Sequence, residues 1–448
     1  MKKLVFLFLF LSANAFAQFG TGCLIDSARY EKVELTAPLL RGNLPASASV
    51  KEYAPQPGNQ GNHGTCTAWA SAYACRSILL NMRNEGKTAY AFSPSYVYNQ
   101  IRLMDNCDYG VYISDALELL KNDGCAPYDK FGYECSRKVD NSLKKIAKEY
   151  TIRDYKKLFS RNSPINEQSI VYPVKKALSE SKPVVISMKC WASFEDAEDV
   201  WIPVEKDQSK GYHAMAVVAY DDNQYGGAFL LMNSWGVNWG KGGFTWVRYE
   251  DFFENCMEAY ELIDHHLSPN AAKISFSGDI RFQKSDRSPM NAYLDKKMYK
   301  MNEEYYSGTA FQFFVSHQEP IYLYVIGTDL TGKCSVLFPF DQKISPMLSY
   351  KQGTIAFPAQ DYYIEFDDQK GKEYVCVLYS QERLDINQIS AKMEYATGDV
   401  WERLSQAVGK DKISPDIEYR KDKIGFKANR LKNSKAGIVP LVVEIRHE

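Results

Sequence analysis

The stretch Gln60-Gly61-Asn62-His63-Gly64-Thr65-Cys66-Thr67-Ala68-Trp69-Ala70 constrains this chain more than any other. A polar, turn-forming run passes directly into Ala68, Ala72, Cys75, Leu79 and Met82, an apolar stripe at helical spacing. The pattern predicts a helix with Cys66 in its first turn. Unpaired N–H groups and the positive dipole end at that position favour thiolate, the attacking form of the thiol. A fold that uses such a thiol must also deliver a base and a group to orient it. Residues 212–220 alternate as a strand, 221–227 are rich in turn formers, and 228–232 read as a second strand, so a β-hairpin is expected. In an antiparallel pair the start of one strand lies beside the end of its partner, which puts His213 next to Asn233.

These segments, together with Tyr212-His213-Ala214 and Asn233-Ser234-Trp235-Gly236-Val237-Asn238-Trp239-Gly240, resemble the papain-like cysteine peptidases, the cathepsin family. The resemblance implies a two-lobed α+β catalytic domain, a helical lobe and a β-rich lobe with the cleft between them. It implies Cys66 as nucleophile, His213 as general base and then acid, Asn233 as the residue orienting the imidazole, and Gln60 as an oxyanion-hole donor. Each role has a physical basis. The Gln60 amide and the Cys66 backbone N–H can stabilise charge developing on a carbonyl oxygen, and Trp235 would shield the His213–Asn233 hydrogen bond from water. Cys66 and His213 are expected to form a thiolate–imidazolium pair. Gly110 falls where the family carries a glycine-containing cleft wall, so its backbone is expected to bind an extended substrate strand. The chain departs from the family at His63, where a Cys is usual, and at Thr67, where a Trp is usual.

Residues 1–17 read as a signal peptide: Lys2-Lys3, an apolar run from Leu4 to Leu11, then Ala15-Phe16-Ala17. The protein is therefore expected to be exported, to the periplasm, the cell surface or the medium. Gly20-Thr21-Gly22-Cys23 offers a weaker lipoprotein alternative. Residues 18–43 are a short lead-in with no room for a full inhibitory prosegment, so activity is expected once the leader is removed. The catalytic domain is expected over 44–266. Of the ten Cys, reserving Cys66 for chemistry leaves an odd number. Cys107, Cys125 and Cys135 cluster in a region where export favours a disulfide, whereas Cys75, Cys334 and Cys376 read as structural thiols.

The texture changes after residue 266. Residues 322–327, 334–339 and 374–379 alternate like strands, and 270–448 is expected to be a β-rich, sandwich-like domain with a helix around 400–408. With every candidate catalytic residue before it, this domain is expected to be separable and to serve location or large-substrate access; the alternative is a shared apolar interface that makes it a stabiliser of the first domain. The net charge of -1 gives no case for a nucleic-acid partner, and no stretch after the leader is long and apolar enough to span a bilayer. No cofactor or metal is expected: His63 with Cys66, or His265-His266, lacks a second pair of ligands. The expected partner is a peptide or protein substrate. The basic residues Arg420, Lys421, Lys423, Lys427, Arg430, Lys432 and Lys435 read either as a solvated face or as a contact for a glycan or other surface. A silent papain-like scaffold that binds through its C-terminal domain is the alternative to an enzyme.

Overall fold

The computed structural model describes residues 19–86, 89–162, 165–204, 206–265, 273–329, 331–358, 362–431 and 436–448. The expected leader, the punctuation at Ser268-Pro269-Asn270, and Lys432 and Lys435 lie outside the described residues.

The first body is α+β. Its helical side is built on Cys66–Ala68, continued by a π-wound stretch Trp69–Arg76 and by Ser77–Arg83. Nearly every side chain from Cys66 to Asn81 is buried, Tyr73 being the exception, so Ala68, Ala72, Cys75 and Leu79 of the predicted stripe lie in a run enclosed on all sides, and Met82 is partly exposed. Ser93 opens the helix Pro94–Ile101 by accepting the Tyr96 N–H at 3.0 Å. The helix Ile113–Asn122 follows, and Gly124 turns the chain at φ +76°. Two proline signals mislead. Pro127 caps a short helix, Tyr128–Phe131, where a loop is expected. Pro173, expected to open a helix, lies inside Glu167–Ser179, which starts earlier because Asn166 and Ser169 form a reciprocal cap. That cap offsets the one backbone bond Pro173 forgoes.

The β side is an eight-stranded sheet among the described residues. The strand Ser209–Asp221 runs antiparallel between Val184–Trp191 and Ala228–Met232. Its partners continue outward through Phe244–Arg248 on one side and Cys256–Ile263 on the other.

Among the described residues the second body contains two seven-stranded sheets. Phe276, Ile280 and Phe282 of one sheet and Leu323, Val325 and Val377 of the other enter one apolar cluster. The helices Ile386–Tyr395 and Val400–Val408 cover the outer face of the second sheet, packing Ile389, Met393 and Leu404 against Tyr324, Cys376 and Leu378. Only the later helix is visible in the sequence pattern.

The lead-in joins both bodies. Leu35 forms single β-bridges to Lys157 and to Ile344. Lys182 is buried and donates to the Ser349 carbonyl at 2.8 Å, while the Ser349 hydroxyl donates to Glu261 at 2.7 Å. Ile263 packs in the cluster of Tyr322 and Tyr324. A buried, charged and apolar seam thus joins the separate β-rich domain to the first, as the shared-interface alternative expects.

Candidate active site

Cys66 begins its helical run, and its cap residue Thr65 makes no side-chain capping bond. Cys66 Sγ accepts the Ala214 N–H at 3.4 Å, which sets the thiol against the residue that follows His213. His213 Nε2 lies 2.7 Å from Asn233 Oδ1. The same oxygen accepts the Ser234 N–H at 2.7 Å, so the Asn233 amide is oriented as acceptor and Nε2 must carry the ring proton. His213 Nδ1 is buried with no hydrogen-bond partner. It is the nitrogen free to take a proton from a thiol. Trp235 stacks on the imidazole, with centroids 4.7 Å apart and planes at 27°.

Gln60 is fully buried. Its Oε1 accepts the Ser234 hydroxyl at 2.5 Å, which turns Nε2 the other way. Nε2 donates to the His63 carbonyl at 2.6 Å and to the Gly20 carbonyl at 3.0 Å. A donor expected to serve a substrate oxygen thus holds a peptide oxygen of the chain itself. Trp235 Nε1 donates to the same Gly20 oxygen at 3.1 Å.

That contact belongs to a segment that fills the cleft. Phe19 stacks on Trp235 with centroids at 4.7 Å. The Gly20 N–H donates to the Gly61 carbonyl at 3.1 Å, and the Val111 N–H to the Gly22 carbonyl at 3.0 Å. Cys23–Leu24 then pairs in parallel with Val111–Tyr112. A Cβ on Gly110 would lie 1.9 Å from the Gly22 oxygen, so glycine there does permit close approach of an extended strand. The strand is residues 22–24. Cys66 and His213 are both 0% exposed. The expectation that the lead-in leaves the cleft open is overturned: backbone contacts from a few residues suffice to close it.

Burial also reverses the expected charge state. It pushes the Cys66 thiol up to about 11, against backbone N–H groups of Ala214, Gly22 and Thr67 that pull it down. It pushes His213 down to about 4, against the Asn233 hydrogen bond that raises it. At neutral pH the closed form therefore holds a neutral thiol and a neutral imidazole, and loss of water outweighs the helix terminus. Glu258, buried near Cys23, is raised to about 7 by the same desolvation, against its hydrogen bond from Tyr260.

Four residues contribute in ways the sequence does not reveal. Ser234 sets the rotamers of both amides, and only its place beside Asn233 hints at this. Thr67, where the resemblance leads one to expect Trp, donates to the Val111 carbonyl at 3.1 Å and so fixes the cleft wall to the Cys66 helix. Gly20 and Gly22 fit only because they lack side chains: a Cβ would meet the His63 oxygen at 2.4 Å and Gly64 Cα at 2.3 Å, respectively. Cys107 and Cys135 form the disulfide, while Cys125 stays a buried thiol. Cys75 and Cys376 are buried thiols, and Cys334 is half-buried. Among the described residues no group of three or more His, Cys, Asp or Glu is placed to hold a metal ion. No helix among them is long and apolar enough to cross a membrane. In the basic stretch, Arg420 pairs with Asp422 and Lys423 with Asp279.

The family described as papain family cysteine protease matches residues 45–263, and the Domain of unknown function (DUF4384) matches 304–383. Mouse cathepsin K (Mus musculus) is 26% identical over 52% of this chain and 69% of its own length. An uncharacterized peptidase C1-like protein of Acanthamoeba polyphaga mimivirus is 26% identical over 43% of this chain, which spans 64% of that relative. Among solved structures, xylellain, a cysteine protease from Xylella fastidiosa, is 22% identical over 55% of this chain and 96% of its own, with a TM-score of 0.47. Residues 45–263 are thus a papain-family cysteine peptidase domain, to which a distinct β-rich C-terminal domain is joined.

Proposed function

We propose that this protein is an exported peptidase that hydrolyses peptide bonds through a Cys66 thioester. His213 Nδ1 takes the thiol proton, Cys66 Sγ attacks the scissile carbonyl carbon, and the charge that moves to oxygen is stabilised by the Gln60 amide. The C–N bond then breaks as the imidazolium gives its proton to the leaving amine. Water, deprotonated by the same imidazole, attacks the thioester, releasing the acid and returning the proton to sulfur. Asn233 keeps Nδ1 aimed at the thiol, and Trp235 keeps water off the pair. The observation that carries this reading is the Gly20 carbonyl on Gln60 Nε2 at 3.0 Å. A peptide oxygen already sits where the mechanism needs one, and the cleft beside Gly110 already accepts an extended backbone.

The substrate is an extended peptide entering the channel that residues 19–24 now fill. The two sheets of the C-terminal domain make a sandwich around their common cluster, and its basic edge serves contact with a surface or glycan. The test is labelling with a thiol-directed, peptide-like inhibitor, followed by turnover of a peptide library by opened protein. Cys66→Ala should fold, because alanine suits the helical site, and should give neither label nor turnover. Wild-type-like turnover by Cys66→Ala would refute the mechanism.

A further inference from the structure

The helical run that carries Cys66 also buries a cation. Arg76 closes its π-wound stretch and is 0% exposed. Its Nε donates to the Tyr150 carbonyl at 3.0 Å, and its guanidinium carbon lies over the Phe92 ring, 5.1 Å from the centroid. Nη1 and Nη2 are buried without a hydrogen-bond partner, and among the described residues no other arginine has both terminal nitrogens in that condition. Burial lowers the Arg76 pKa, yet a guanidinium does not deprotonate in a protein, so the charge stays and needs a partner.

The nearest carboxylate does not supply one. Asp264 Oδ1 lies 4.0 Å from Arg76 Nη2, beyond hydrogen-bonding distance, and already accepts the His265 N–H at 2.9 Å. Oδ2 of the same carboxylate takes Arg83 Nε at 3.1 Å and is also held by Arg83 Nη2. One acid thus faces two guanidinium groups of a single helical run, which Arg83 ends. Arg153 adds a further positive charge beside His265 and spends its Nη2 on the Gln381 carbonyl at 2.8 Å. The other groups that face Arg76 are Tyr150, whose hydroxyl is 3.1 Å from that of Tyr90, and the Cys125 thiol, which donates to the Ser93 carbonyl at 3.4 Å and whose ionisation burial opposes.

A buried water would satisfy the free N–H groups and leave the charge uncompensated. We infer that Arg76 binds a small monovalent anion, a halide such as chloride, which accepts from Nη1 and Nη2 and offsets the second guanidinium. Enclosure sets the size. The guanidinium has no exposed surface, and a phosphate or a carboxylate ligand would have to displace packed side chains to reach it. The ion joins the run that starts at Cys66 to residue 264, just past the end of the strand Cys256–Ile263, so it stabilises the first body and takes no part in the reaction at the thiol.

The test is unfolding of the full chain in urea, which brings no anion, with chloride raised from zero while sodium gluconate holds the ionic strength constant. Wild type should gain stability with chloride, the folded-to-unfolded ratio rising about tenfold for each tenfold rise beyond half-saturation. Bromide should act as chloride does, and gluconate, too bulky for an enclosed site, should not. Arg76→Met, close in length and without charge, should lose the response. Crystals grown in bromide should show an anomalous peak at hydrogen-bonding distance from both Nη atoms, a result that stands even where Arg76→Met does not fold. A wild-type stability indifferent to chloride, an equal response in Arg76→Met, or a water without bromide signal beside Arg76 would each overturn the assignment.

Discussion

Acid should loosen the segment 19–24 that fills the cleft, and the size of the effect follows from His213. Burial holds its pKa at about 4 in the closed form, and a ring returned to water has an ordinary value of about 6.5. The closed form therefore binds fewer protons than the open one between these values. Its stability is complete above the open value and is lost as pH falls toward the closed one. Between pH 7.5 and pH 5 the opening constant should rise about thirtyfold, or about 2 kcal/mol. Cys66, raised to about 11 when closed, stays protonated in both forms over this range and contributes nothing. Glu258 acts with the opposite sign: raised to about 7 when buried, it binds more protons closed than open, so any water that reaches it on opening makes acid favour closure. Glu258→Gln removes that opposition while keeping an oxygen for the Tyr260 hydroxyl. The assay is hydrogen exchange of residues 19–24 and of the Val111 amide, whose bond to the Gly22 carbonyl reports that segment directly. Protection corrected for the intrinsic exchange rate should fall about thirtyfold in Glu258→Gln from pH 7.5 to pH 5. Protection that stays flat or rises in this variant would refute the assignment of His213 as the group coupled to opening.

Two further outcomes are expected. Asn233→Ala, measured in a Gly22→Val background whose added side chain does not fit against Gly64, should lower kcat by roughly 10- to 100-fold with little change in KM, less than His213→Ala does, because water can replace an orienting amide but not the base; a loss equal to that of His213→Ala would give Asn233 more than an orienting role. A chain ending at His265 should be markedly less stable or insoluble, since it strips Ser349 from the buried Lys182 and Glu261 and uncovers Ile263; a soluble product with an unchanged melting temperature would show that the seam contributes nothing.

The parts of the fold legible in the sequence are those with a period or a cap. The Ala68 to Met82 stripe, the Ser93 cap and the alternation on either side of the 221–227 turn each reflect one local rule, and together they bring Cys66, His213 and Asn233 near one another. Gln60 was legible only through its place before the helix and through the family resemblance. The cysteines show the limit of counting: the spacing of Cys107, Cys125 and Cys135 leaves their pairing open, and only the fold shows that Cys107 meets Cys135 while Cys125 stays a buried thiol. The helix Ile386–Tyr395 went unseen although Asp385 caps it by accepting the Gln388 N–H, because a lone Asp before a mixed sequence is an ordinary turn signal as well.

The length of the lead-in argues against a block of the cleft, and its backbone, which makes the block, leaves no mark in the sequence. A long inhibitory segment folds on its own and leaves an apolar pattern, whereas a stopper needs only carbonyls and N–H groups at the right depth. Gly20-Thr21-Gly22 has no pattern except the absence of side chains at alternate positions, and that absence is what lets an extended strand reach Gly64 and Gly110. The same economy explains why closure changes the chemistry as well as access. A strand that excludes water from Cys66 and His213 moves the thiol and the imidazole away from ionisation together. The closed enzyme is then blocked sterically, because the Gly20 carbonyl holds the Gln60 donor, and electrostatically, because the nucleophile is not charged. Displacement of residues 19–24 frees the Gln60 donor and returns the imidazole to water, while the N–H groups of Leu35 and Thr36 keep the lead-in bonded to the second and the first body.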